Sequence, residues 1–203
     1  IWACVKLKDS VQLVGASSHT RPSADKNLGT VWRNADDAFA SIMTPSDRFI
    51  SCFGVVGISF WGKSANSVGG IRLGSKTAAA SVKNCSFNQF KDEALIADGL
   101  VGTFEDLIAT NTLLQRERTE RTGCFKFLGA DHYISKIEGN TGITGIINPD
   151  LNLAGIYIGG ANHYADKLMG ELSEVGIYVE NAGAPHKISM SPADLNFGHG
   201  WLL

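Results

Sequence analysis

The sequence predicts an all-β solenoid, a chain wound into coils whose short strands stack on one another. One observation is an internal repeat: the segment 129–139 returns as 160–170, 31 residues later, with most positions identical or chemically similar. Repetition at a period of about twenty to fifty residues is typical of solenoids. A second observation is a recurring apolar tetrad that begins with a small residue. The tetrads are Gly57–Phe60, Gly70–Leu73, Ala94–Ala97, Cys124–Phe127, Gly155–Ile158 and Gly176–Val179.

The spacing of the tetrads is a third observation. Counted from Ile71, the leading apolar residue recurs after 24, 30, 31, 21 and 24 residues, at Leu95, Phe125, Ile156, Ile177 and Trp201. Several of these steps are too short for a strand, a crossover helix and a loop, which together need about thirty residues or more. They fit coils of three short strands that are separated by turns. In such coils inward apolar residues form one core, and outward residues form rows.

The first forty residues are less regular. Alternation from Val5 to Gly15 predicts a strand, and the polar stretch 16–27, which contains Ser, Thr and Pro, predicts a loop. Thr30–Arg33 is consistent with a short strand. The stretch 35–43 is consistent with a helical turn, which Pro45 would end.

From Phe49 onward the rhythm is regular, with strands predicted at 49–60, 71–73 and 82–87 before the later cycles. We interpret residues 1–203 as a single solenoid domain in which 16–48 forms an irregular insertion and the early coils. Because the chain opens and closes on strand-like segments, we expect it to be an internal fragment of a longer protein.

Composition and charge exclude several classes of protein. Apolar residues make up 44% of the chain and the net charge is −2 without a long basic run, which argues against electrostatic binding to nucleic acid and against membrane insertion. The four cysteines lack the paired spacing of a zinc or redox site, and we expect Cys52 and Cys85 to be buried free thiols. No metal and no cofactor is predicted.

These features together resemble a known family. Coils of about 21–31 residues, the Gly-Ile tetrads, the strands with a central Asn or Ser and the opening segment Leu7–Gly15 are similar to the pectate-lyase-like right-handed parallel β-helix. The irregular insertions and the lack of secretion features most resemble bacteriophage tailspike or tail-fibre depolymerases. The resemblance implies a right-handed, single-stranded parallel β-helix in a homotrimer that binds, and often cleaves, bacterial capsule or lipopolysaccharide. The acidic triplets of the pectin-cleaving members have no match here.

The two His-Tyr pairs of the repeat are the first candidate site. We expect His132 and Tyr133 to occupy the same corner as His163 and Tyr164 on the adjacent coil, with His186 as a looser echo. Aromatic faces pack against pyranose C–H groups and polar tips bind hydroxyls, so these residues are candidates for substrate binding. With Lys136 and Lys167 they are also suited to β-elimination on a uronic acid. The alternative is that the repeat is structural, since every coil makes the same turn.

Acidic residues are the second candidate site. A glycoside hydrolase needs two carboxyl groups about 5–5.5 Å apart for retention or about 6.5–9.5 Å apart for inversion, and neighbouring coils supply both distances. The catalytic candidates are Asp98, Glu105, Asp106, Asp131 and Asp166. Any solenoid with 20 acidic residues offers such pairs, so a structural reading stays open.

Arg116 and Arg118 lie in a run of mixed charges within an enlarged corner. Mixed signs are typical of a solvated, self-paired loop. The alternative is a lid whose guanidinium groups hold the carboxylates of an acidic polysaccharide.

The sequence therefore favours a virion tail spike or fibre that depolymerises bacterial surface polysaccharide by hydrolysis or β-elimination. Two alternatives stay open. One is a structural or receptor-binding shaft without turnover, and the other is a secreted bacterial polysaccharide lyase or epimerase.

Overall fold

The computed structural model describes residues 5–6, 8–16, 30–34, 40–62, 68–112, 120–143, 153–180, 185–189, 193–194 and 196–203. These residues form a parallel β-solenoid of about five turns. The described part of the chain contains no helix, and therefore none that is long and apolar enough to cross a membrane.

The described residues contain short strands throughout. In chain order they are β1 (Val5–Lys6), β2 (Gln12–Val14), β3 (Thr30–Arg33), β4 (Ile42–Met43), β5 (Ile50–Ser51), β6 (Gly54–Val56), β7 (Ile58–Trp61), β8 (Ile71–Leu73), β9 (Thr77–Ala78), β10 (Ser81–Asn88), β11 (Leu95–Ala97), β12 (Thr103–Thr110), β13 (Gly123–Phe127), β14 (Tyr133–Asn140), β15 (Ala154–Ile158), β16 (Tyr164–Glu171), β17 (Val175–Val179), β18 (Lys187–Ile188), β19 (Ala193–Asp194) and β20 (His199–Leu202).

Two parallel sheets run along the solenoid. Sheet A has eight strands in the order β1-β4-β8-β11-β13-β15-β17-β20. Sheet B has ten, and its main path is β18-β16-β14-β12-β10-β6-β2. The chain alternates between the sheets, so each coil contributes one strand to sheet A and one longer segment to sheet B.

The tetrad register is confirmed in sheet A. Ile71 pairs with Leu95, Leu95 with Phe125, and the series continues through Ile156, Ile177 and Trp201. These residues recur at the unequal intervals found in the sequence because the corners, and not the strands, differ in length.

Three predictions for the early coils are wrong. The tetrad Gly57–Phe60 contributes β7 to sheet B, and the corresponding position of sheet A is taken by Ile42, which pairs with Ile71. The second of these predictions, the helical turn over 35–43, fails in its described part, because Ile42–Met43 is a strand. The alternating stretch 5–15 forms two strands in different sheets, since Ser10 adopts a left-handed backbone (φ 57°) between them.

Left-handed residues bend the long strands of sheet B in the middle. Asn84, Asp106, Lys136 and Lys167 occupy equivalent positions and have φ between 51° and 59°. In β10, the residues before the bend pair with β6 and the residues after it pair with β7. Sheet B therefore presents two differently oriented faces.

A second corner, between sheet A and sheet B, is also lined by left-handed residues. They lie one above another along the solenoid, at Ser10, Cys52, Ala79, Val101, Asp131 and Asn162. Asp and Asn tolerate this conformation well, whereas a β-branched residue such as Val101 does not.

The apolar core narrows along the solenoid. In one inward row of sheet B the side chains shrink in the order Phe60, Phe87, Ala109, Gly139, Gly170. The two sheets approach closely where this row ends. A Cβ atom added to Gly170 would lie 1.9 Å from the carbonyl oxygen of Gly176, which leaves no room for a side chain.

The cysteine prediction is half confirmed. Cys85 is buried, and burial raises the pKa of its thiol to about 11, so it behaves as a small apolar residue. Cys52 is exposed instead, because its left-handed backbone places it on the outer corner.

Candidate functional site

The first half of sheet B exposes the largest group of predicted site residues. Phe104, Ile134 and Ala165 point into the core, so the residues on either side of them point outward. Two outward rows result, one of Ser81, Thr103, Tyr133, Tyr164 and Lys187, and one of Lys83, Glu105, Ser135 and Asp166. Ser135 is buried between its neighbours in the second row. We call this surface the tyrosine face.

Tyr133 and Tyr164 form an aromatic platform on the tyrosine face. Their rings stack with centroids 5.7 Å apart and an interplanar angle of 13°. The side chains stay 41% and 44% exposed, and the ammonium group of Lys187 lies 5.4 Å from the Tyr164 ring centroid. A large aromatic surface left open to solvent beside cationic and acidic groups is suited to ligand contact.

Glu105 lies at the centre of a small charge network on the same face. Its carboxylate is 3.4 Å from Nζ of Lys83 and 3.7 Å from Nζ of Lys136. Both ion pairs are partly exposed, so each contributes little to stability. The structure thus brings two predicted site residues, Glu105 and Lys136, into contact.

Asp166 shares a row with Glu105, two rungs away, with Ser135 between them. At a rung spacing of about 4.8 Å, the two backbone positions are about 9.6 Å apart. Oδ1 of Asp166 is buried and has no hydrogen-bond partner. A buried carboxylate oxygen without a donor is costly, and a ligand hydroxyl would supply one.

Three other predicted residues lie at the edges of the tyrosine face. Asp106 and Lys167 occupy the bend of sheet B, and Asp131 occupies the corner that leads into β14. Both aspartates have a left-handed backbone, with φ of 59° and 58°. Because Asp tolerates this conformation well, its presence at these two positions has a structural explanation that does not require a catalytic role.

Asp98 lies apart from the other acidic candidates. It follows β11 at the end of a sheet A strand, where its backbone N–H donates to Leu73. Partial burial raises the pKa of its carboxyl group, and the nearby ammonium of Lys126 opposes that shift. Asp98 thus lies at the end of a sheet A strand, whereas Glu105 lies on sheet B.

The histidines of the repeat are stacked in the corner beneath the tyrosines. The rings of His132 and His163 are 4.8 Å apart and nearly parallel, and His186 continues the stack at 5.2 Å from His163. His132 and His163 are only 2% and 1% exposed. The predicted common corner is confirmed, and the burial of the two rings favours a structural role over direct contact with a sugar.

Hydrogen bonds fix the state of these rings. Nδ1 of His132, His163 and His186 each accepts a backbone N–H from the preceding coil, at 2.9, 3.2 and 3.3 Å. The proton of each neutral ring is therefore on Nε2, which in His163 donates to the Gly159 carbonyl at 2.6 Å. Burial lowers the pKa of His132 and of His163 from 6.5 to about 4, so both rings are neutral at neutral pH.

Some predicted and possible ligands fall outside this geometry. Arg116 and Arg118 lie outside the described residues. In the portions that the structure describes, no group of three or more His, Cys, Asp or Glu side chains is arranged to hold a metal ion.

Sequence reasoning missed Lys83, Ser135 and Lys187 on the tyrosine face. Each pairs in register with a predicted residue: Lys83 with Glu105, Ser135 with Asp166 and Lys187 with Tyr164. Extending the repeat by two coils toward the start of the chain and by one coil toward its end would have found Lys83 and Lys187.

Comparison of the chain with protein-family models, with curated proteins and with solved structures gave no match. The architecture that is shown is the parallel β-solenoid.

Proposed function

We propose that this chain is the β-helical part of a homotrimeric protein, similar to a phage tail spike or fibre, that binds bacterial surface polysaccharide on the tyrosine face. The observation that supports the proposal most is the exposed Tyr133–Tyr164 stack, which lies beside the row that contains Glu105 and Asp166. A right-handed parallel β-helix of this kind offers a long, rigid surface for an extended chain of sugars.

Binding would combine apolar and polar contacts. The aromatic rings pack against the C–H groups of a pyranose, and they lose little entropy because the stack already orders them. Asp166 offers a free oxygen for a hydroxyl group, and Lys136, Lys167 and Lys187 can neutralise acidic sugars. The face thus suits capsule or lipopolysaccharide chains that carry both hydroxyl and carboxylate groups.

We further propose that the protein cleaves the bound chain, with Glu105 and Asp166 as the catalytic pair. Their backbone positions are about 9.6 Å apart along the row, so rotation of the side chains would have to bring the two carboxyl groups within the range of about 6.5–9.5 Å that inverting hydrolases need. One carboxyl group would protonate the leaving oxygen, and the other would activate water on the opposite side of the sugar. In the second mechanism, β-elimination on a uronic acid, Tyr133 or Tyr164 would be the base that removes the proton next to the sugar carboxylate. Lys136 or Lys167 would neutralise that carboxylate, and the glycosidic oxygen would leave.

One observation favours binding without cleavage. The carboxylate of Glu105 is already engaged by the ammonium groups of Lys83 and Lys136. A carboxylate held in this way can contribute to a receptor-binding surface without taking part in a reaction.

The test is binding to purified capsules and lipopolysaccharides from a panel of strains, followed by assays for new reducing ends and for unsaturated uronates. We expect the double variant Y133A/Y164A to lose binding by about tenfold or more. The control F49A removes another exposed aromatic side chain and should bind like the wild type. Equal binding by the double variant and the wild type would refute the proposed face.

The same panel separates an enzyme from a binder. A depolymerase releases new chain ends from at least one strain that it binds, and E105Q or D166N abolishes that release while leaving binding within about threefold. If no bound polysaccharide is cut, the protein is a binding shaft.

A further inference from the structure

Histidine occupies the same corner position in three consecutive coils, although the preceding coils do without a histidine there. Those preceding coils place Phe53, Ala80 and Gly102 at the same position, none of which titrates. The next three coils place His132, His163 and His186 there, with each ring stacked on the next. Three titratable side chains of the same type are thus in contact in consecutive rungs.

Protonation is incompatible with the hydrogen bonds that hold the stack. A protonated imidazole carries hydrogen on both nitrogens, so its Nδ1 no longer accepts the backbone N–H of Gly102, His132 or His163. Two charged rings would also lie 4.8 or 5.2 Å apart. Both effects oppose the closed corner.

The groups that face the stack give little compensation for positive charge. Asp131, at the exposed corner, favours a charge on His132. Backbone carbonyl groups at the ends of sheet A strands favour a charge on the rings: those of Ala97 and Leu128 on His132, that of Gly159 on His163 and that of Glu180 on His186. Of these, the structure shows a hydrogen bond only from His163 to Gly159, whereas Nε2 of His132 and of His186 is buried without a hydrogen-bond partner among the described residues. From sheet B, Phe104 packs its ring edge-on against His132 at 5.2 Å, and Lys187 lies over Tyr164 on the outward side.

The stack is joined directly to the tyrosine platform. Tyr133 and Tyr164 follow His132 and His163 in the chain. Their backbone N–H groups donate to the carbonyl oxygens of Gly102 and His132, at 2.8 and 2.9 Å. The backbone N–H of Lys187 donates in the same way to the carbonyl oxygen of His163, at 2.8 Å. Because these bonds begin the strands that carry the tyrosines, opening of the corner separates the two rings.

We propose that the His132–His163–His186 stack is an acid-sensitive latch, which holds Tyr133 and Tyr164 in register when neutral and releases them when it takes up protons. Loss of polysaccharide binding in acid follows from this latch and rests on the function proposed above. Release of the platform itself does not depend on that function.

The test is amide hydrogen exchange of the full chain at a series of pH values from about 7.5 to about 5, with protection factors corrected for the intrinsic rate. We expect the N–H groups of Tyr133, Tyr164 and Lys187 to lose protection by up to about tenfold per pH unit for each histidine involved, while those of Ile156 and Ile177 in sheet A change far less. The variant H132N/H163N keeps side-chain acceptors in the corner and should lose this pH dependence. The control H199N, at an exposed position on β20, should keep it.

Imidazole NMR of the wild type supplies a second measurement if the double variant does not fold. The latch predicts that the rings of His132 and His163 stay neutral with hydrogen on Nε2 below about pH 6, and titrate together with the loss of protection. Titration near 6.5 without loss of protection at Tyr133 and Tyr164 would overturn the proposal. Intact protection in acid with lost polysaccharide binding would also overturn it, whereas pH-dependent protection without any binding would refute only the proposed function.

Discussion

The ring of Tyr164 stacks on that of Tyr133, 5.7 Å away, although the two residues are 31 positions apart in the chain. The parallel register of β14 and β16 places them side by side, because the intervening coil returns to the same corner. A repeat in the sequence thereby becomes one continuous surface in space. The buried histidines that precede the tyrosines follow the same register, so a stack of buried imidazole rings lies directly beneath the exposed tyrosine stack.

Substitution of Gly170 should destabilise the fold strongly. In G170A the new Cβ would lie 1.9 Å from the backbone oxygen of Gly176, and neither sheet can move without disturbing the stacked coils. We expect a loss of about 3 kcal/mol in the free energy of unfolding, measured by urea denaturation. The control G54A, whose Cβ would meet its nearest neighbour, a Gln12 side-chain atom, at 3.4 Å, should lose less than about 1 kcal/mol. Similar losses in the two variants would contradict the close approach of the sheets.

Relief of the strain at Val101 should stabilise the protein. Val101 has φ of 52° and is 58% exposed, and the equivalent positions of the next two coils hold Asp131 and Asn162. Because a β-branched residue is disfavoured in this conformation, we expect V101N to raise the free energy of unfolding by about 1 kcal/mol. The matched change V14N, at an exposed position within β2, should bring no gain. A destabilised V101N would show that the Val101 side chain makes a contact that outweighs its backbone strain.

Stability should fall as the pH drops from about 6.5 toward 4. The pKa values of His132 and His163 in the fold, about 4, lie below the ordinary value of 6.5, so the unfolded chain binds more protons than the folded chain in this window. The contribution of the neutral rings is complete above 6.5 and is lost progressively below it, by at most about 1.4 kcal/mol per pH unit for each histidine. Urea midpoints at about pH 7.5, 6 and 5 measure the slope. The variant H132N/H163N should give a flatter curve, and parallel curves would argue against burial of neutral imidazoles.

The ion pairs of Glu105 should contribute little to folding. Their side chains are between a third and a half exposed, so water and salt weaken the attraction. A double-mutant cycle with K83M and E105Q should give a coupling free energy below about 1 kcal/mol, which decreases further in about 1 M salt. A larger coupling free energy that persists in salt would mean that the ion pairs of Glu105 stabilise the fold substantially, contrary to this prediction.

Much of the fold could be predicted because its signals are local. The inward residues Ile71, Leu95 and Phe125 follow small residues at each entry to sheet A, and alternation assigns their direction. Gly57–Phe60 carries the same local signal but belongs to sheet B. Alternation distinguishes inside from outside, and it does not distinguish one sheet from the other.

The site could be predicted only in part, for two physical reasons. The burial of His132 follows from alternation alone: Ile134 points inward, and His132, two residues earlier, points to the same side of the strand. The contacts of Glu105 with Lys83 and Lys136 instead depend on coils of 22 and 30 residues and on the left-handed bend at Lys136. Unequal coils hide such pairs until the register is known.

The most direct measurement is a crystal structure of the protein with an oligosaccharide from a strain to which it binds. We predict sugar rings packed against Tyr133 or Tyr164, with at least one hydroxyl group hydrogen-bonded to Asp166 or Glu105. A sugar found only on the outer surface of sheet A, near Asp98, would contradict the assignment of the tyrosine face.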